Sequence, residues 1–172
     1  GHSRVGQALG PLMQVFNPND PNVAMLEQVA RSLGPKLCSQ FVFVGGAAAG
    51  LLVTDLAMPA IRRTDDVDIV ASAEALADYD QFEEQFRALG FVQDQSPDAP
   101  VCRWRVNGVT VDLLPTQEEI LGFVNRWYRM GVATAQTLTL PSGVPIRVLR
   151  APEFIATKLE AFYGRGGGDY LF

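Results

Sequence analysis

The chain has 172 residues, 48% of them hydrophobic, and a formal net charge of −5. That is enough apolar material for one domain with a real core, and too much for a disordered segment. The acidic balance disfavours a broad nucleic-acid-binding surface, so any contact with nucleic acid is expected to be local.

In chain order, Asp20-Pro21 predicts an N-cap followed by a first helical residue. Val23, Leu26, Val29, Ala30 and Leu33 recur at helical spacing until Gly34-Pro35 stops the helix. Residues 40–44 suit a short buried strand, Gly45-Gly46 breaks it, 47–56 favours a helix, and 57–64, with Pro59, reads as a loop. Asp66–Ala71 is a second strand. Ser72 is expected to cap a helix whose stripe is Leu76, Tyr79, Phe82, Phe86 and Leu89, ended by Gly90. A strand over 91–95 precedes a hairpin over 101–106 and 109–114, signalled by Asn107-Gly108. Thr116 and Glu119 form a capping-box pattern for a helix burying Ile120, Phe123, Val124 and Trp127. A second hairpin is expected over 137–140 and 146–149. Pro152 then starts a helix anchored by Ile155, Leu159 and Phe162. The order predicts a mixed α/β (α+β) single domain over 1–172, with core motifs in 41–114 and a C-terminal helical element over 151–172. The run Asp169-Tyr170-Leu171-Phe172 is abrupt, and a further helix is expected to follow it.

Some chemistries are excluded. Gly1-His2 reads as a remnant of tag cleavage, so the one histidine is given no role, and neither a His-based zinc site nor a Ser-His-Asp triad can be built. Cys38 and Cys102 lack metal-ligand spacing and are expected to be free core thiols in a reducing cytoplasm. No secretory signal is visible. The apolar stretch 41–53 is interrupted by Gly45, Gly46 and Gly50, so no membrane span is expected.

Three features carry possible chemistry. Gly45-Gly46 lies where a strand passes into a helix; it is either a plain tight turn or a place where backbone approaches a phosphate. In Asp66-Val67-Asp68-Ile69, alternation puts both aspartates on one face. Two such carboxylates repel each other unless a cation lies between them, and magnesium fits, although acidic residues are also common at solvated strand ends. Asp112 alternates with Val111 and Leu113. The two-residue turn sets Val106 opposite Val109, Trp104 opposite Val111 and Arg103 opposite Asp112. Asp112 is then an ion-pair partner of Arg103, or the third member of a carboxylate cluster if the hairpin lies beside the Asp66 strand.

The succession Phe41-Val42-Phe43-Val44-Gly45-Gly46, Arg63-Thr64-Asp65-Asp66-Val67-Asp68-Ile69 and a later strand aspartate resembles the nucleotidyltransferase superfamily with the polymerase-β-like fold. The Arg-x-Thr-x-Asp-apolar-Asp form is most similar to the AbiEii/MenT-type toxins and their minimal relatives, although the gap from Gly46 to Asp66 is longer than in many compact members. The run from Ala151 through Lys158 to Phe162, with Arg165 and Asp169, is similar to the late lysine-containing element of that branch.

The resemblance implies a small mixed sheet flanked by helices, with the site at an open edge. It implies Asp66, Asp68 and Asp112 as catalytic, metal-holding residues for Mg2+ or Mn2+. Gly45, Gly46, Arg63 and Lys158 would contact a nucleoside triphosphate, Lys158 being otherwise a lysine that covers apolar surface. The implied reaction moves a nucleoside monophosphate to an acceptor hydroxyl, on a tRNA 3′ end or a small molecule, with a cognate antitoxin as a protein partner. The alternative is a catalytically silent nucleotide- or partner-binding module on the same fold.

Overall fold

Asp20 and Pro21 do start the first helix. The Asp20 carboxylate accepts from the N–H groups of Asn22 and Val23, at 2.8 and 3.3 Å. The computed structural model describes residues 16–53, 62–73, 75–122 and 125–164. The helix, α1 (Pro21–Cys38), runs past the expected stop: Gly34 breaks it at φ 75° and ψ 161°, and Pro35 begins a further helical turn beyond the kink. Proline is well suited to such a restart, because its fixed φ matches a first helical turn.

β1 (Phe41–Val44) passes directly into α2 (Gly45–Ala49), extended by a 3-10 turn (Gly50–Leu52). The predicted helix thus begins at Gly45 itself and is shorter than expected; residues 54–61 lie outside the described part. β2 (Asp66–Ala71) matches its expected bounds. α3 (Leu76–Ala88) is capped at Ala75, whose N–H donates to Asp78, and not at Ser72. Tyr79 and Phe86 are buried as the stripe requires, but Leu76 and Leu89 are exposed.

β3 (Val92–Gln93) precedes the hairpin of β4 (Arg103–Val106) and β5 (Val109–Pro115). Asn107 and Gly108 take φ 48° and 79°, the left-handed pair of a tight two-residue turn, and the register pairs Arg103 with Asp112. The capping-box helix at Thr116 does not form. Thr116 Oγ1 donates to the Ala73 carbonyl instead, and Gln117 caps a single turn, α4 (Glu118–Leu121), that Gly122 ends at φ 76°. Trp127 caps the separate α5 (Tyr128–Thr134); Phe123 and Val124 lie outside the described residues. β6 (Gln136–Thr139) and β7 (Pro145–Val148) make the second hairpin, and α6 (Ala151–Gly164) follows.

The strands form one seven-stranded sheet in the order β3-β4-β5-β2-β1-β7-β6. Pairing is mixed: β2 with β5 and β1 with β7 are parallel, and the other pairs are antiparallel. Alternation splits the core. Phe41, Phe43, Val67, Ile69, Trp104 and Val111 belong to the larger cluster, which includes residues of α1 to α3; Phe86 packs edge-on to both Phe41 and Trp104. Val42, Val44, Val70 and Leu149 form the smaller cluster with Tyr128 of α5 and Phe154 of α6.

One expectation fails on α6. Ile155 and Leu159 are 57% and 51% exposed, whereas Thr157 is buried and Phe154 packs on the smaller cluster. Apolar residues surround this helix, so its spacing does not say which stripe meets the core. No helix among the described residues is long and apolar enough to cross a membrane.

Candidate active site

β2 and β5 decide the geometry. Within β2, Asp66 and Asp68 share the face opposite Val67 and Ile69, which are fully buried. Parallel pairing sets Asp68 beside Asp112, so Asp112 falls on the same face. One carboxylate oxygen from each of Asp66, Asp68 and Asp112 lies within 4.8 Å of the others. The open-edge expectation is corrected, because β5 and β2 are the third and fourth of seven strands. The cluster sits on the sheet's face near the start of β2, where central strands supply neighbours on both sides.

Arg103 joins this cluster from β4. Its Nε and Nη2 each donate to one oxygen of Asp112 at 2.8 Å, and Nη2 also reaches Asp66 Oδ2 at 3.2 Å. Both readings of Asp112 are therefore present together, an ion pair and membership of a three-carboxylate group. Burial chiefly, and then the charges of Asp66 and Asp112, push the Asp68 carboxyl up to about 7, opposed by Lys158 and Arg103. Asp66 is raised as well, by burial first and then by the charges of Asp112 and Asp65, with Arg103 opposing. Hydrogen bonding to Asp112 holds the Arg103 guanidinium above its ordinary range. Burial raises the Cys38 and Cys102 thiols to about 11 and about 12, which favours their neutral form near neutral pH.

The glycine pair lies against this group. At the β1–α2 junction Gly45 takes φ +71°, and a Cβ there would lie 2.0 Å from Asp68 Oδ2. A Cβ on Gly46 would meet Thr64 Cγ2 at 2.4 Å. Both glycines are thus required by close approach, the first also by its backbone conformation. α2 has only five residues, so its dipole is small and the backbone's nearness to Asp68 is the feature that matters.

Beyond Gly46 a groove of about 690 Å³ opens, lined by Gly46, Arg63, Thr64, Phe154, Lys158 and Leu159 among others. The predicted site residues therefore fall into two adjoining groups. Gly45, Asp66, Asp68 and Asp112 form the acidic cluster, while Gly46, Arg63 and Lys158 line the groove. None of the three carboxylates lines it. Lys158 is exposed, its Nζ 5.6 Å from the Phe154 ring centroid, and its charge acts on Asp68. Asp65 also lines the groove. Arg165 and Asp169 lie outside the described residues. A second cavity, of about 660 Å³ and lined by Ser72, Thr116, Gln117 and Arg129, sits beyond the opposite ends of β2 and β5 and contains no carboxylate cluster among the described residues.

No protein-family model matches the chain, and no curated protein matches it. Among solved structures, the chain is similar to that of ANT(2")-Ia in complex with adenylyl-2"-tobramycin, at 16% identity and a TM-score of 0.47, over 86% of this chain and 78% of that one.

Sequence reasoning missed two residues here. Arg103 was read only as a partner of Asp112, yet it also holds Asp66. Asn22 was not singled out at all. It is 2% exposed, accepts from the Thr64 N–H at 3.0 Å, and donates through Nδ2 to the Arg62 carbonyl at 3.2 Å. Thr64 in turn donates to the Asp66 carbonyl. Asn22 thereby pins the segment that carries Arg63 into β2 from some forty residues away. The available signal was an amide two residues after an N-cap, which is common on solvated helix ends. Asn22→Ala should cost about 1 kcal/mol in denaturant unfolding, because it removes the partner of a part-buried N–H and carbonyl. A variant as stable as the parent would show that the segment is held by other means.

Proposed function

We propose that this chain is a metal-dependent nucleotidyltransferase, moving a nucleoside monophosphate from a nucleoside triphosphate to an acceptor hydroxyl. The observation that carries the proposal is the meeting of Asp66, Asp68 and Asp112 on neighbouring parallel strands beside Gly45. The donor set suits a hard divalent cation. It offers carboxylate oxygens only, they are close together, and among the described residues none donates a hydrogen bond to Asp68. Mg2+ or Mn2+ would be held by Asp66, Asp68 and Asp112, and when bound would neutralise phosphate charge as it shifts during transfer.

The remaining work falls to the chain. Gly45 and Gly46 let backbone approach the triphosphate. Arg63 and Lys158, at the groove, offset the charge of the departing pyrophosphate. Asp112, fixed by the Arg103 fork, orients the acceptor hydroxyl and takes its proton. The acceptor oxygen bonds to the α-phosphorus as the bond from that phosphorus to the bridging oxygen breaks, and pyrophosphate leaves. A silent binding module on the same fold would have no need to keep three repelling carboxylates together. The likeness to AbiEii/MenT-type toxins, and with it a tRNA acceptor and an antitoxin partner, rests on the motif order alone.

The test offers each of four nucleoside triphosphates with Mg2+ or Mn2+, plus bulk tRNA or small polyhydroxyl compounds, and follows pyrophosphate release and label transfer. Release that needs both metal and acceptor is expected, and the acceptor that takes label distinguishes the substrate classes. A folded protein that releases no pyrophosphate under any combination would sink the proposal. Lys158→Ala should raise the apparent KM for the triphosphate about three- to tenfold, as expected for one lost charge-assisted contact. Its melting temperature should barely move, since the side chain is exposed. Unchanged kinetics would leave Lys158 as a cover for the Phe154 ring.

A further inference from the structure

The carboxylate cluster already contains a cation. Arg103 lies on the same sheet face because its register partner is Asp112, whose own parallel partner is Asp68. Its guanidinium fork takes Asp112 Oδ1 and Oδ2 and, through Nη2, Asp66 Oδ2. Three of the six carboxylate oxygens therefore carry an N–H donor. The other three, Asp66 Oδ1 and both oxygens of Asp68, take no hydrogen bond from another described residue, the backbone of Asp66 itself being the one further group that acts on its carboxylate. The fork is also well seated. The Arg103 and Asp112 side chains are 27% and 11% exposed, so neither partner is freely hydrated.

We infer that Arg103 is an internal counter-cation that weakens the hold of Asp112 on metal and limits the nucleotide-free cluster to one tightly bound divalent ion. The inference rests on the metal reading above. A cation entering the cluster finds Asp66 Oδ1 and Asp68 open. To engage Asp112 fully it must displace a bidentate, charge-assisted pair, among the stronger hydrogen-bonded arrangements in proteins. It must also sit beside a fixed positive charge a few ångströms away, which weakens its binding through direct repulsion. Arg103 thus acts on the reaction as a positioning residue. It keeps Asp112 oriented, and it makes a second ion depend on a partner that brings its own negative charge, such as a triphosphate.

The experiment measures Mn2+ binding to the full chain without nucleotide, by titration calorimetry and by the spectrum of free Mn2+, at fixed pH and ionic strength. Wild type, Arg103→Gln and Arg103→Lys are compared, each with a thermal melt with and without Mn2+. Wild type should bind one ion. Arg103→Gln should bind it about tenfold or more tightly and take up a second, since removing one adjacent charge is worth at least about 1.4 kcal/mol at partly buried separations. Arg103→Lys should fall between, because an ammonium keeps the charge but not the fork. Without metal, Arg103→Gln should melt lower than wild type, and Mn2+ should raise its melting temperature by more.

A purely structural role predicts otherwise: the same loss of melting temperature with and without Mn2+, and an unchanged isotherm. That result overturns the inference while the metal reading stands. Absence of Mn2+ binding in every protein overturns both. If Arg103→Gln does not fold, Arg103→Lys decides the matter, since an isotherm identical to wild type refutes the inference by itself.

Discussion

Asp68→Asn should remove the proposed metal-dependent nucleotide transfer and make the metal-free protein more stable at neutral pH. The two effects share a cause. Asp68 is the carboxylate whose ionised form suffers most from burial and from its two acidic neighbours, and its pKa is raised to about 7. A carboxyl with a folded pKa above its unfolded value binds its proton more tightly in the folded state. Ionising it therefore costs stability. The cost is absent below the unfolded pKa of about 4, grows as pH rises towards 7, and is constant above. Asp66 is shifted in the same direction and adds to the trend. Asparagine keeps the shape without the charge, so the variant should gain roughly 1–3 kcal/mol near pH 7.5 and about nothing near pH 4, with each pKa unit worth about 1.4 kcal/mol. Transfer should fall about a thousandfold or more, the scale of losing a group that stabilises charge during reaction. Mg2+ should stabilise wild type at pH 7.5 and much less at pH 5, where Asp68 is largely protonated. Denaturant unfolding at three pH values, with and without Mg2+, checks this alongside the transfer rate. A variant that transfers at the wild-type rate, or that is less stable than wild type at pH 7.5, would remove Asp68 from the site.

Gly45→Ala should be the most damaging small substitution among the described glycines. Two costs add. The backbone is held at φ +71°, where an L-residue loses about 1–2 kcal/mol. The new methyl would also fall 2.0 Å from Asp68 Oδ2, so either β1–α2 or the carboxylate must move. A total on the order of 2–4 kcal/mol is expected, with transfer lost because Asp68 is displaced. Gly34→Ala is the control. Gly34 has φ +75°, and nothing lies within 4 Å of its would-be Cβ, so it bears only the backbone cost. Gly34, at ψ 161°, lies in a region still less open to L-residues than the left-handed helical one, so a larger loss in Gly45→Ala than in Gly34→Ala would mark the contact with Asp68. Equal losses, together with retained transfer in Gly45→Ala, would show that the close approach is not needed.

Local rules were enough where neighbours in sequence do the deciding. Strand alternation put Asp66 and Asp68 on one face, and the left-handed pair Asn107-Gly108 set Arg103 opposite Asp112. Asp20 capped α1 because its carboxylate reaches N–H groups only two and three residues away. Local rules failed where a signal had two structural meanings. Gly122 cut the Thr116 helix to a single turn, and α6, apolar on several sides, turned Phe154 inward and left Ile155 and Leu159 at the groove.

Tertiary structure alone decided the assembly of the site. Parallel pairing of β2 with β5 joins segments more than forty residues apart, and no residue between them announces it. It is selected because it buries Val67, Ile69, Val111 and Leu113 together, and it thereby brings Asp112 beside Asp68. The reach of Arg103 to Asp66, and of Asn22 to the strand entry, follows from that same arrangement. The chain by itself determined which carboxylates share a strand face and which residue faces Arg103 across the hairpin. Only the whole sheet could decide that these faces are one, because the burial that chooses between strand pairings is a property of the complete core.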